Sequence, residues 1–246
     1  MTATPTAAAL VVGNEILSGK IQEANVYELA GVLRPAGILL SRVVIIPDDP
    51  ETIAREVNAL RADHDYVFTS GGVGVTHDDV TIAAVARAFG VPVVRDPGME
   101  ALLRNHYGAD LHENHLALAN VPEGARSLVA EGSVWPLLAI ENVYILPGIP
   151  EIFQRKLAIL RSHLAGDSAP FVSRAVFTRM DEALLKPLLD EVVGRNPTVE
   201  VGSYPRWNDP EYETKVTFDG KDQPAVEQAL QHFLKLLPPG EPQWTE

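Results

Sequence analysis

Residues 66–82, Tyr66-Val-Phe-Thr-Ser-Gly-Gly-Val-Gly-Val-Thr-His-Asp-Asp-Val-Thr-Ile82, constrain the fold more than any other stretch of the chain. Tyr66 to Phe68 is a short apolar run bounded by turn residues, the mark of a buried strand. Ser70-Gly71-Gly72-Val73-Gly74 follows, and its glycines admit positive φ and close approach of another group. Thr76, Asp78 and Asp79 offer N-cap chemistry. Ile82, Val85, Ala86 and Phe89 then recur at i, i+3, i+4 and i+7, which predicts an amphipathic helix. Strand, glycine loop and helix start make an anion site, because free N–H groups and the positive dipole end face the loop. The pattern is not Gly-x-Gly-x-x-Gly, since His77 stands where the third glycine belongs, and no Gly-Lys-Ser/Thr follows for a P-loop. A glycine turn that only closes a strand–helix junction is the plain alternative. Helix capping is the plain role for Asp78 or Asp79. Two acids beside a phosphate loop gain a purpose if a metal ion sits between carboxylate and phosphate.

The same strand–loop–helix unit occurs twice upstream. A strand at 10–12 enters the polar loop Gly13-Asn14-Glu15-Ile16-Leu17-Ser18-Gly19-Lys20, and Val26, Leu29, Ala30 and Leu33 mark a helix. A β-branched run at 38–46 stops at Pro47-Asp48-Asp49-Pro50, and Ile53, Val57 and Leu60 mark the next helix. Repetition of this unit predicts a three-layer α/β/α fold around a mostly parallel sheet. Asp48 and Asp79 then fall at the C-terminal ends of neighbouring strands, where open α/β sheets build their sites. Capping before Glu51 is the alternative for Asp48 and Asp49.

Further along, 91–94 reads as a strand and 97–107 as a helix, whereas 108–134 shows no clear period. His112-Glu113-Asn114-His115 is not His-Glu-x-x-His and lacks a third ligand, so packing or surface histidines are expected. The runs 137–140 and 143–146 read as a hairpin turning at Glu141-Asn142. Pro147-Gly148-Ile149-Pro150 then feeds a helix carrying Ile152, Phe153, Leu157 and Leu160. Gly166 to Pro170 is the expected boundary, with domains at 1–165 and 168–240. The second reads as strand 171–177, helix 181–193 kinked or split at Pro187, strands 198–204 and 212–218, and helix 223–237. It is a small α+β domain.

Composition removes several functions. A net charge of −13 argues against a nucleic-acid partner, which would call for a basic face. The absence of cysteine excludes disulfides and thiolate chemistry, and suits a reducing compartment. The apolar run at 7–12 is too short for a signal core or a membrane span. A cytoplasmic protein without a membrane partner is expected.

Four stretches together resemble the molybdopterin-binding (MoaB/Mog-like) fold family. They are Gly13-Asn14-Glu15-Ile16-Leu17-Ser18-Gly19 with Asn25, Pro47-Asp48-Asp49, Gly71 to Thr81, and Pro147-Gly148-Ile149-Pro150-Glu151. Within it the chain is similar to the N-terminal part of CinA, and closer to the molybdopterin-binding-like domain of eukaryotic-type FAD synthases. Val143 to Pro150 and Gly202-Ser203-Tyr204-Pro205 carry that closer likeness. The resemblance implies a phosphorylated heterocycle as ligand: molybdopterin in the Mog branch, ADP-ribose in CinA-like domains, FAD in the FAD-synthase domain. It also implies a divalent ion (Mg, Mn or Co), with a monovalent cation as a second ion, and a homo-oligomer, dimer or trimer. Three departures stand out: Val75 replaces the usual proline, Asn14 the usual aspartate, and Ala117-Leu118-Ala119 the Lys-Gln-Ala of CinA-like chains. The amidase domain of CinA and the adenylyltransferase domain of FAD synthase are not in these residues, so FAD synthesis by this chain alone is not expected.

The expected chemistry is metal-dependent cleavage of an ADP-containing dinucleotide such as FAD or ADP-ribose. Ser70, Gly71, Gly72, Gly74 and Thr76 would hold the diphosphate, framed by Gly13, Asn14, Ser18, Gly19, Asn25, Pro147 and Gly148. Asp48 and Asp79 are the expected metal ligands, and Glu15 or Asp78 the base. Tyr204, followed by Arg206 and Trp207, can stack on a ring and reach phosphate, or else Tyr204 and Trp207 pack under the adjoining loop. Molybdopterin binding or adenylylation and a non-catalytic oligomerisation module are the rival readings.

Overall fold

The computed structural model describes residues 4–164, 168–207 and 209–246, and its chain divides into two compact units, 1–168 and 169–246. In the first, β1 (Thr6–Val12), α1 (Asn14–Leu17), α2 (Asn25–Leu33), β2 (Leu39–Ile46), α3 (Pro50–Asp63), β3 (Tyr66–Ser70) and α4 (Thr81–Phe89) follow in order. Then come β4 (Val93–Arg95), α5 (Pro97–Tyr107), β5 (Asn120–Pro122), β6 (Arg126–Leu128), β7 (Leu137–Ile140), β8 (Val143–Leu146) and α6 (Pro150–Leu164). The main sheet has the order β2-β1-β3-β8-β7-β6. Its first four strands are parallel, and β7 and β6 are added antiparallel.

Alternation along the strands builds two cores. On one face Ala8, Leu10 and Val12 of β1 meet Ile53 and Val57 of α3 and Val85 of α4. On the other, Ala7, Ala9 and Phe68 meet Leu29 of α2 and Phe153 and Leu157 of α6. This is the period of two that a sheet covered on both faces requires. It also explains why β1 reaches back to Thr6: alanines are poor strand formers, but here they lie buried between β2 and β3. The run 91–94 does not join this sheet. Its residues are half exposed, and β4 pairs only with β5 as a separate antiparallel ribbon. His112 and His115 serve packing: their Nδ1 atoms accept from the N–H groups of Asn114 and His112, and His115 stacks on Tyr107.

The second unit contains β9 (Val172–Thr178), α7 (Glu182–Arg195), β10 (Glu200–Pro205), β11 (Thr214–Gly220), α8 (Gln223–Leu236) and β12 (Trp244–Thr245). Its antiparallel sheet has the order β10-β11-β9-β12, and α7 and α8 share its core through Leu185, Val192, Val226 and Phe233. Pro187 does not split α7. The proline and Ala183, four residues before it, both face solvent, so water can take the bond that Pro187 cannot donate. The unit continues past residue 240, because Trp244 stacks on Phe177 as β12 pairs with β9. Gly166 and Asp167 lie outside the described residues. No helix among those described is long and apolar enough to cross a membrane.

Candidate functional site at the C-terminal edge of the sheet

The glycine loop begins where β3 ends. Gly71 and Gly72 have φ of 104° and 63°, the left-handed region. A Cβ at Gly71 would lie 2.1 Å from the carbonyl oxygen of Val12, and one at Gly72 would lie 2.4 Å from Thr81 Oγ1. Hydrogen bonds complete the clamp: Gly71 N–H donates to Leu146 O (3.3 Å), Thr81 N–H to Gly72 O (3.0 Å) and Thr81 Oγ1 to Gly71 O (2.8 Å). The pair is thus wedged between the ends of β1 and β8 and the start of α4. Among the described residues, nothing accepts from the N–H groups of Gly72, Val73 or Gly74. Consecutive free donors that begin at a positive-φ glycine, Gly72, form an anion cradle.

The acids of this loop do not cap α4. Val80 is the N-cap residue and provides no side-chain bond. A turn from Thr76 to Val80 instead folds both carboxylates back. Asp79 Oδ2 accepts from Thr76 N–H (2.8 Å), and both Asp78 Oδ1 and Asp79 Oδ2 lie 2.6 Å from Thr76 Oγ1. One hydroxyl proton serves one acid at a time. The Thr76 hydroxyl beside Asp78 holds that carboxyl below its ordinary range. Asp79 also faces Gly74, where a Cβ would come within 2.4 Å of Oδ2.

The Asp48-Asp49 pair divides its work. Asp49 caps α3, accepting from Thr52 N–H at 2.8 Å, and the Thr52 side chain, followed by that N–H, lowers its carboxyl pKa. Asp48 reaches the first loop and accepts from Asn14 N–H at 2.8 Å. Glu15 folds back over Gly13, Ser18 Oγ donates to Glu15 O, and Gly19 closes the turn at positive φ. Asn25 joins three elements: its amide Nδ2 donates to Ser70 Oγ (3.0 Å) and Gly148 O (2.9 Å) from the start of α2. Gly148 in turn packs against Gly71, and Pro147 is buried behind it. The structure therefore joins Gly13, Asn14 and Asp48 at one place, and Asn25, Ser70, Gly71 and Gly148 at another along one sheet edge. Asp48 and Asp79 do not follow neighbouring strands, because β1 lies between β2 and β3, and no hydrogen bond among the described residues links the two acids.

A cavity of about 740 Å³ borders the glycine loop at Val73, Gly74 and Pro147. Its wall includes Met99, His106, Tyr107, Leu118, Trp135 and Ile152, with Lys156 and Arg155 from α6. Lys156 Nζ donates to the carbonyls of Trp135 and Pro136, and burial pulls its pKa down to about 8. Sequence reasoning did not reach this cavity, because 108–134 has no period. The available signal was Lys156 in an otherwise apolar stripe with Phe153, Leu157 and Leu160.

Tyr204 and Trp207 of the second unit do not pack under a loop: they are 56% and 92% exposed. Arg206 is engaged by Asp209 at 2.7 Å.

A divalent metal fits this donor set only in one form. The candidates are oxygens of Asp48, Asp79, Glu15 and Asp78, and no group of three or more His, Asp or Glu side chains poised to hold an ion exists among the described residues. One or two carboxylates plus substrate phosphates and waters is the habit of magnesium-like ions, not of an all-protein cage.

A mostly parallel sheet covered on both faces, with a glycine-loop cleft at its C-terminal edge, defines an open α/β protein whose site is built from strand-end loops. Residues 8–164 match the family described as "Probable molybdopterin binding domain", and the chain belongs to it. Residues 170–245 match "FAD synthase, middle domain". An Archaeoglobus fulgidus protein is 34% identical over 92% of this chain and 95% of its own length. A "Probable FAD synthase" of Caenorhabditis elegans is 30% identical over 94% of this chain, which spans only 50% of that relative. The solved structure of "the protein CinA with unknown function" from Thermoplasma acidophilum matches with a TM-score of 0.60 and 29% identity, covering 65% of this chain and 98% of that one.

Proposed function

We propose that the protein is a divalent-metal-dependent nucleotide pyrophosphatase acting on FAD or ADP-ribose. The observation that carries this reading is the free N–H run at Gly72–Gly74 with the Asp79 carboxylate folded back beside it. Donors for a diphosphate and an acid for its counter-ion stand on one loop. The match of the second unit to an FAD synthase domain supports an adenylyl dinucleotide over other diphosphates. The reaction adds water across the P–O–P bridge, so that FAD gives FMN and AMP. Asp48 and Asp79 would hold the ion, which neutralises phosphate charge and lowers the pKa of a bound water. Gly72 to Gly74 bind the diphosphate, Asn25 and Ser70 fix the loop, and Glu15 or Asp78 takes the proton. Thr76 stabilises the ionised form of Asp78, which weakens that carboxylate as a base. The active form is a dimer or trimer, which light scattering would read.

The test is incubation of the full chain with FAD and with ADP-ribose under Mg, Mn and Co in turn. AMP release that a chelator abolishes is expected. No release under any ion would overturn the reading. The family description of 8–164 favours a second reading, molybdopterin binding or its adenylylation. Tight binding of a pterin monophosphate without dinucleotide turnover would decide for that one.

A further inference from the structure

We infer that the cavity beside the glycine loop is a ring subsite, which takes a flat, neutral heteroaromatic system bearing acceptor oxygens, of the flavin class. Its 740 Å³ is of ligand-pocket size and far exceeds what a phosphate or a hydrated ion needs. It shares Val73, Gly74 and Pro147 with the glycine-loop edge, so a molecule whose diphosphate lies on Gly72–Gly74 has its attached group at the mouth. The wall carries aromatic faces and edges: Trp135 meets His106 edge-on at 5.3 Å, and Tyr107 lies beside them. Such surfaces favour a planar ring.

The charged lining selects further. Lys156, Arg155 and His106 line the cavity, with Glu131 as the acidic group among them. An ammonium has three donors, and Lys156 commits two of them to the carbonyls of Trp135 and Pro136. One donor remains for an acceptor on the bound ring. Lys156 and Arg155 repel a pyridinium, so an NAD-type ring is disfavoured against a flavin. Lys156 also ties the Trp135–Pro136 wall to α6, which makes it a positioning residue.

The choice of a flavin ring rests on the pyrophosphatase reading, whereas the cavity itself does not. Riboflavin, which has the ring and no phosphate, is therefore the first probe, titrated against the full chain while the fluorescence of the flavin itself is followed. Quenching that saturates is expected, retained in Trp135→Tyr and at least halved in Trp135→Leu. Ala158→Trp should fill the cavity, abolish the quench and raise the FAD-to-ADP-ribose KM ratio about tenfold or more. If that variant does not fold, the Trp135 pair alone decides. A quench that survives Trp135→Leu, or that is lost instead in Trp207→Leu, overturns the inference. If riboflavin binds and no dinucleotide is cleaved, the ring subsite stands and the pyrophosphatase reading falls.

Discussion

At Asp79 two roles compete, and their magnitudes separate them. The carboxylate accepts two bonds from Thr76 on an exposed loop, and losing such contacts costs about 1–2 kcal/mol at most. A metal-ligand acid contributes several kcal/mol of charge stabilisation in the transition state. Asp79→Ala should therefore lower kcat by about a hundredfold or more, with a melting temperature within a few degrees of the parent. Unchanged turnover and a clear loss of melting temperature would assign Asp79 to holding the loop alone. The glycine loop was legible in the sequence because only glycine fits where a Cβ would strike Val12 O. The neighbouring acids were not. Asp48 and Asp49 look equivalent in the chain, yet only Asp49 stands at the N-cap position. Asp78 and Asp79 looked like caps because composition cannot show that the chain turns once more before α4 begins.

Among the elements, α6 joins the core on the Phe68 face of the sheet to the cavity. Its Phe153, Leu157 and Leu160 bury against the sheet, and Lys156 is carried to the rim of that stripe. The spacing of the apolar residues predicted the helix. What Lys156 faces depends on the 130–136 segment, whose course no local pattern encodes, just as the 91–94 run showed its strand character but not its partner. Burial lowers the lysine from 10.5 to about 8, so between those values the unfolded chain binds more protons than the folded one. Stability from this group therefore rises with pH across that window. Lys156→Met removes the dependence. Denaturation midpoints of parent and variant, compared from pH 7 to 10, should show the parent gaining on the variant above pH 8. A constant difference would show that the ammonium remains hydrated in the folded state.

Across the whole molecule, each unit packs its own sheet, the first on both faces, and the candidate site so far described belongs to the first unit. The second presents Tyr204 and Trp207 to solvent on a strand end, an arrangement that packing does not require. We propose that it contributes to substrate choice. Replacing Tyr204 and Arg206 together by alanine should raise KM for FAD more than for ADP-ribose, read from initial rates; equal changes would reject a selective role. The amide of Asn25 has a consequence of another kind. It fastens loop ends that are 45 and 123 residues away along the chain, so neither end can move off the other without breaking a bond to the same amide. A ligand that orders the glycine loop would, through that amide, restrict the Pro147–Gly148 turn as well. The conformational entropy lost at the first contact lowers the cost of the second.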